Sequence, residues 1–474
     1  LKRLDEALAS YECALALKAE IDFILGASLH IKMQLCFWDN LSHGLNELTH
    51  KINQGEKVSM PFDMLTLIDD PELHRKTAEA YLKERCPQSH VLPKIEIYPQ
   101  HTKIRIGYFS ADFRIHPMTH LTAELYETHD RNHFEIYAFS LGPDTQDDMN
   151  LRIKAGVDHF YDVRTLSDKE VVLLSRTLEI DIAVDLGGFT LGSRTGIFAM
   201  QTAPIQVNYL GYPGTMAAVY IDYLIADHTL IPNEQQQYYS EKIVYIPNSY
   251  MVNLSKIEVA EPTLIRQELG LPDTGFVFCC FNNSFKITPT TFASWMRILN
   301  AVEGSVLWLY EGNNSTIKNL KNEALKLGIN EERLIFAKYM PIEEHLNRIQ
   351  LADLFIDTLP YNAHTTASDA LRMGLPVLTC IGQSFASRVA ASLLKAVNMP
   401  ELIATTQEQY EALAIELATH PEKLKTIKAK LVANLATAPL YDTALFTKHL
   451  ESAYLTMYER YQNGLAPEHI VVEH

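Results

Sequence analysis

No apolar run in the 474 residues approaches the ~18 that a membrane-spanning helix needs, so the sequence predicts no membrane span. Cysteine is scarce and scattered. Cys13, Cys36, Cys86, Cys279, Cys280 and Cys380 form no CxxC pair and have no adjoining histidine cluster. That argues against a disulfide framework or a metal site, and predicts reduced thiols in a cytoplasmic protein. Basic charge is short: Lys and Arg total 41 against 58 Asp and Glu, a formal net charge of −17. A nucleic-acid partner needs a basic surface and is therefore not expected, whereas a local basic pocket for a phosphate remains possible. Glycine and proline number only 20 and 21 while 47% of residues are hydrophobic, a globular rather than a disordered composition. The first residue is not methionine and no signal peptide is visible, which carries little weight for a chain that starts part-way. The chain opens on Leu1 inside a helical pattern, as a piece of a longer protein would.

A length of 474 residues allows roughly three structural units at about 150 residues each. Residues 1–95 read as helices and a linker. Leu4, Ala7, Leu8, Tyr11, Ala14 and Leu15 recur at helical spacing. Phe37 and Trp38 fall in a second helical stretch, and Pro61 and Asp69-Asp70-Pro71 break the pattern before a helix near 72–85. The string LDEALASYECALALK resembles the second helix of a tetratricopeptide repeat, although an ordinary amphipathic helix would read the same way. One such unit cannot bury its own face, so further repeats are expected ahead of Leu1.

From residue 103 the pattern changes to short apolar runs separated by helical stretches. Segments 104–110, 134–141, 180–186, 205–212, 221–227 and 242–247 predict buried strands in a domain spanning 96–255. Segments 275–281, 305–312, 333–339, 351–359 and 375–382 predict a second set in a domain spanning 256–474, which a helix near 444–463 closes before a loose tail. Nearly continuous Ile, Val, Leu and Tyr suits parallel strands covered on both faces. Strand–helix alternation implies two doubly wound, Rossmann-like α/β domains, expected to face a cleft at the carboxyl ends of their strands.

Four segments carry chemistry. In 357–379 a strand ends, a loop holds Pro360, Tyr361, Asn362 and Ala363, and a helix opens at His364-Thr365-Thr366. Free N–H groups at a helix start form an anion site without metal, which His364, Thr365 and Thr366 could supplement for a diphosphate and Asp369 for a ribose. Simple N-capping by threonine is the competing reading. In 280–289 a buried strand delivers Asn282, Asn283 and Lys286; the lysine could neutralise a leaving phosphate or could be an ordinary surface cation. In 108–121, Asp112 and His116 follow a strand as acid/base candidates, while His120 could equally be a core histidine. Glycines in 184–194 and 208–216 allow backbone to approach a ligand closely.

The strings RIGYFSADFRIHP, APIQVNYLGYPGT, FNNSFKI, EEHLNRIQLADLFIDT, HTTASDAL and SFASRVAASLL, in this order, make residues 36–463 resemble the catalytic region of the O-GlcNAc transferase family. That family includes Spindly-type O-fucosyltransferases and bacterial relatives. The resemblance implies a GT-B fold, an inverting reaction, a nucleotide-sugar donor and no essential metal or other cofactor. It implies that Asn283 and Lys286 meet the phosphates together with His364, Thr365 and Thr366. It places His345 on the base, Arg348 near it and Asp369 on the ribose. Leu210, Gly211, Tyr212 and Pro213 would border the sugar, with Asp112 and His116 facing sugar and acceptor. A protein acceptor would be recruited through amino-terminal repeats. Departures from the animal pattern are Ile342 and Leu191 where lysines stand, Tyr361 in place of a small residue, and the Pro61–Phe62 region in place of a histidine-rich segment. His364-Thr365-Thr366 matches the GlcNAc-using branch better than the fucosyl branch. The implied activity is transfer of GlcNAc from UDP-GlcNAc to Ser or Thr hydroxyls of proteins. GDP-fucose or UDP-glucose as donor remains open, as does an Asn, glycan or small-molecule acceptor, and so does a non-catalytic scaffold.

Overall fold

The computed structural model describes residues 3–17, 21–257 and 264–473. Two compact units divide the chain. One joins Leu1–Leu73 to Ile257–Ala438, and the other joins His74–Lys256 to Pro439–His474. The boundaries at 95/96 and 255/256 cut the chain linearly, whereas these units are interleaved.

The unit containing His74–Lys256 is built on parallel strands β1 (Ile104–Ser110), β2 (Phe134–Ser140), β3 (His159–Asp162), β4 (Ile182–Asp185), β5 (Ile205–Asn208), β6 (Tyr223–Ala226) and β7 (Lys242–Tyr245). Every residue of β4, β5 and β6 is buried, as two-sided helical cover requires. β3 has no counterpart among the expected strands: HFYD is mostly half-exposed and has no apolar run to announce it. The closing helix Thr443–Gln462 belongs to this unit. Its Glu451 accepts from His129 Nδ1 (2.9 Å), while Tyr108 donates to His129 Nε2 (2.8 Å) and Thr443 to the Asn253 carbonyl (2.6 Å).

The other unit carries β8 (Val277–Cys280), β9 (Val306–Tyr310), β10 (Leu334–Ala337), β11 (Leu354–Ile356), β12 (Val377–Cys380) and β13 (Ile403–Ala404) in the order β10-β9-β8-β11-β12-β13, all parallel. Crossovers between non-consecutive neighbours make it doubly wound, as expected. The helical segment at the start of the chain packs into this same unit. Leu29, Met33, Leu41, Leu48, Ile52, Met64 and Leu67 form its core, with Trp38 and Phe285 against it. Each such aliphatic side chain contributes about 1.5–3 kcal/mol by leaving water.

Three local expectations are corrected. Phe37 and Trp38 lie outside helices, between Ile24–Gln34 and Leu41–Asn53, because left-handed backbone at Cys36 (φ 49°) and Asn40 (φ 58°) turns the chain there. Pro61 opens the helix Pro61–Leu67, its fixed φ and missing N–H suiting a first helical position. The tail is not loose: β14 (Ile470–Val471) pairs parallel with the open edge of β7, Val472 N donates to Tyr245 O (3.0 Å), and Ile243 N donates to His469 Nδ1 (2.9 Å). The first sheet therefore has eight strands, β14-β7-β6-β5-β4-β1-β2-β3. Two doubly wound parallel units constitute a GT-B type α/β architecture with a helical lead.

Candidate active site

In the unit with the six-stranded sheet, β8 ends at Cys280 and a single tight turn, Ser284–Lys286, follows. The turn aims Lys286 inward, leaving it 9% exposed. Its ammonium donates to the Asn362 carbonyl (2.8 Å) and lies 3.8 Å from the centre of the Tyr361 ring. That is a cation–π contact in a desolvated setting. Burial pushes Lys286 down to about 8, against the pull of the Asp357 carboxylate. The competing reading of Lys286 as a surface cation is thereby corrected.

Asp357 follows β11 and gathers donors from four places: Thr379 Oγ1 (2.7 Å), Ala363 N (2.6 Å), Thr358 N (2.7 Å) and Asn282 Nδ2 (3.3 Å). Burial raises its pKa, while the Thr379, Ala363 and Thr358 donors and Lys286 oppose the rise. Asn282 also donates to Thr358 Oγ1 (2.8 Å) and accepts from Thr366 Oγ1 (2.5 Å). The buried amide at this strand end is therefore Asn282; Asn283 is exposed, its carbonyl accepting from Lys286 N (3.0 Å).

The helix Thr365–Arg372 begins beside this lysine. Its cap position is His364, at φ −108° and ψ −92°, and no side chain there bonds to the helix start. Thr365 and Thr366 lie inside the first turn, so the plain capping reading does not describe them. First-turn N–H groups have no carbonyl ahead of them in the helix and carry its positive dipole end. His364 donates from Nε2 to the Ala386 carbonyl (3.2 Å), and burial together with Lys286 holds it well below the usual histidine range, hence neutral. Burial pushes Asp369 up to about 7.

Past the end of β8, Phe281 meets His345 edge-on at 5.3 Å. Arg348 donates from Nε to His345 Nδ1 (2.9 Å) and from Nη1 to the Lys338 carbonyl, and its guanidinium lies 5.3 Å from the Phe281 ring. Burial and Arg348 push His345 down to about 3, so its ring is neutral and able to stack. The structure thus brings Lys286, His364, Thr365 and Thr366 to one strand–helix junction, with His345 and Arg348 paired beyond Phe281.

In the other unit, Asp112 follows β1 and His116 caps the helix Pro117–Thr128. Met118 N donates to His116 Nδ1 (3.3 Å), Asp112 Oδ2 lies 3.7 Å from the same nitrogen, and Arg114 donates to Asp112 Oδ1 (3.1 Å). Burial, Arg114 and His120 lower His116 against Asp112. A neutral imidazole that accepts at Nδ1 carries its proton on Nε2, so His116 presents a donor. Leu210 takes φ 73°, and Gly211 presses against β4's exit: an added Cβ would fall 2.0 Å from the Leu186 carbonyl oxygen. Tyr212 is buried with Phe189 edge-on at 5.1 Å. Gly211→Ala is expected to lower the thermal midpoint, at an overpacking cost of about 1–3 kcal/mol. Calorimetry of the variant checks this, and an unchanged midpoint would contradict the contact.

The sequence names some participants without their roles and leaves others unmarked. Asn282 and Asp357 form the buried network under the junction. Tyr361, noted only as a departure, floors Lys286, and Phe62 and Phe285 pack on its ring at 6.4 and 6.3 Å. The helical lead therefore contributes to this site directly. Asp185 Oδ2 and both polar atoms of Asn208, on register-paired residues of β4 and β5, are buried without a hydrogen-bond partner. Polar residues within an apolar strand run were the available signal for Asn208.

The pattern of glycosyl transferase family 41 matches residues 87–257 and 254–450. A probable UDP-N-acetylglucosamine–peptide N-acetylglucosaminyltransferase SEC of Arabidopsis thaliana is 34% identical over 94% of this chain and 48% of its own length. A probable enzyme of the same description, SPINDLY of Petunia hybrida, is 32% identical over 76% of this chain and 39% of its own length. The chain spans about half the length, or less, of these curated relatives. The structure of a mutant Thermobaculum terrenum O-GlcNAc transferase superposes with a TM-score of 0.83 at 28% identity, covering 97% of this chain and 89% of that one.

Proposed function

The chain belongs to glycosyl transferase family 41, and on that premise we propose that it transfers GlcNAc from UDP-GlcNAc to Ser or Thr hydroxyls of a protein, with inversion at the anomeric carbon. The observation that carries the reading is the buried Lys286 ammonium beside a helix start whose cap position makes no side-chain bond. The difficult step is departure of the nucleoside diphosphate. Lys286 and the N–H groups at Thr365 and Thr366 supply preorganised positive potential where that charge grows. Neutral His345 offers a face to the base, braced by Arg348, and Asp369 offers an acceptor to the ribose. On the acceptor side, His116 Nε2–H donates to an oxygen of the sugar or phosphate. Asp112, directly or through a water, is left to receive the hydroxyl proton. Leu210, Gly211, Tyr212 and Pro213 border the sugar. Recruitment of the acceptor through helical repeats, and a cytoplasmic setting suited to six free thiols, belong to the same proposal.

The cradle at 364–366 is tested by pairing affinity with stability. His364→Ala should weaken UDP binding by roughly 10–100-fold, the scale of a hydrogen bond involving a charged partner. Thr365→Glu should do worse, because it puts negative charge where the phosphate sits. If both variants melt lower yet bind UDP normally in calorimetric titration, the residues only shape the helix and the cradle is wrong. A thermal-shift panel of UDP-GlcNAc, UDP-glucose and GDP-fucose then ranks donors, a ligand at 100 times its Kd adding about 2.7 kcal/mol. Mass spectrometry of candidate proteins after reaction separates Ser/Thr transfer from Asn, glycan or small-molecule acceptors. With lysine and helix dipole supplying the charge, turnover should persist in EDTA. Loss of activity in EDTA with recovery in magnesium or manganese would contradict the proposal.

A further inference from the structure

The Asp69-Asp70-Pro71 turn reads in sequence only as a break between helices, and its second carboxylate does serve locally: Asp70 Oδ1 accepts from Glu72 N (2.8 Å) and Leu73 N (3.1 Å) at the next helix start. Asp69 does something else. Its Oδ1 accepts from Ser384 N (2.8 Å) and Ser387 Oγ (2.7 Å), and its Oδ2 accepts from Gln383 N (2.8 Å). Three donors from one short loop, 314 to 318 residues away in sequence, close on a single carboxylate. The loop is built around that guest. Gly382 has no room for a side chain, since a Cβ would fall 2.3 Å from Asp69 Oδ2 and 2.4 Å from Ser387 Oγ. Gly382 N donates to Ser387 O (2.9 Å), and Arg388 Nη1 donates to Gly382 O (2.7 Å), closing the loop on itself.

Between the two anchored serines lies Ala386, and its carbonyl is the point of contact with the active site. It accepts from Asn362 N (3.0 Å) and from His364 Nε2 (3.2 Å). Asn362 in turn presents the carbonyl that holds Lys286. One oxygen therefore fixes both the loop that seats the lysine and the imidazole at the helix start. Its own position depends on a carboxylate from the helical lead. We propose that Asp69 is a positioning residue for the diphosphate cradle, setting the Ala386 carbonyl and through it His364 and Asn362. This rests on the cradle reading above. It assigns to the helical lead a part in donor binding, in addition to any part in acceptor recruitment.

Charge-assisted hydrogen bonds to a carboxylate are short and strong, so removing the acceptor leaves three donors to find other partners and the loop free to shift. Asp69→Ala is the direct variant. Asp69→Asn, which keeps volume and one acceptor oxygen, serves if the first does not fold. Both are combined with His364→Ala in a double-mutant cycle read by UDP titration, with thermal midpoints measured alongside. The expected result is about tenfold weaker UDP binding for Asp69→Ala, and a double variant whose loss is smaller than the product of the single losses, because one effect acts through the other. Unchanged UDP affinity in both Asp69 variants, or losses that simply multiply, would overturn the proposal; a merely structural carboxylate would lower stability without coupling to His364. If His364→Ala alone binds UDP normally, it is the cradle that fails. Asp69 is then judged on ligand-free protein by the His364 ring resonance, assigned by its disappearance in His364→Ala. A resonance displaced in Asp69→Ala supports positioning, and an unmoved one refutes it.

Discussion

Lys286→Ala should slow sugar transfer by roughly 10²–10³-fold, the usual cost of removing one preorganised group that stabilises developing charge. The structure sharpens that expectation in two ways. Lys286 is held by a carbonyl and an aromatic face rather than by a bidentate ion pair, so its charge is available to a ligand. Burial has also pushed its pKa down to about 8. The ammonium therefore loses its proton as pH rises through about 8, and UDP affinity should fall above that point in the parent protein. In Lys286→Ala the step should vanish. Titration of UDP between about pH 6.5 and 9.5 reads this free-protein pKa. A parent profile flat across that range, or a variant with near-normal turnover, would remove Lys286 from the reaction.

The largest loss of stability is expected at Asp357. Its oxygens are the acceptors for Thr379, Ala363, Thr358 and Asn282, and Lys286 is its counter-charge. Removing the acceptor they share strands buried donors at about 1–3 kcal/mol for each left unpaired and takes away a nearby opposite charge, so a loss of about 3–5 kcal/mol in all is expected. For a unit of this size that corresponds to a midpoint lower by about 6–20 °C. Asp357→Asn should fall in between, since the amide keeps volume and one acceptor oxygen but turns an N–H₂ toward donors. UDP affinity should drop in both variants, because Asn282 connects this network to Thr366. A midpoint for Asp357→Ala within about 2 °C of the parent would mean that the network does not hold the junction.

The strands legible in sequence were those with long apolar runs. Ile104–Ser110 and Phe134–Ser140 appear almost as read, because full burial forces the composition. β3, β13 and β14 escaped for the complementary reason: two or four residues on a sheet margin need little apolar character. The site divides in the same way. Lys286 and His364-Thr365-Thr366 were legible because a lone cation and a polar helix start stand out from apolar strands. Asn282 was legible as a polar residue at a strand end, but its pairing with Asp357 was not, since a buried Asn–Asp contact spanning 75 residues exists only once β8 and β11 are neighbours. Asp69 is further from legibility still, its partners lying 314 to 318 residues away. His116 was legible as a site candidate, but not its tautomer, which the Met118 N–H decides.

The short β14 has a bearing on how the molecule meets copies of itself. Without it β7 is the rim of a seven-stranded sheet, with a row of N–H and C=O groups pointing outward. An uncovered rim of that kind is a template on which another chain can add a strand, the first step toward clumping. Ile470 and Val471 occupy the row, and His469 takes the Ile243 N–H at its margin. These residues carry no part of the proposed chemistry. What they govern is colloidal behaviour: a chain trimmed before His469 exchanges a tether within the molecule for an open seam between molecules.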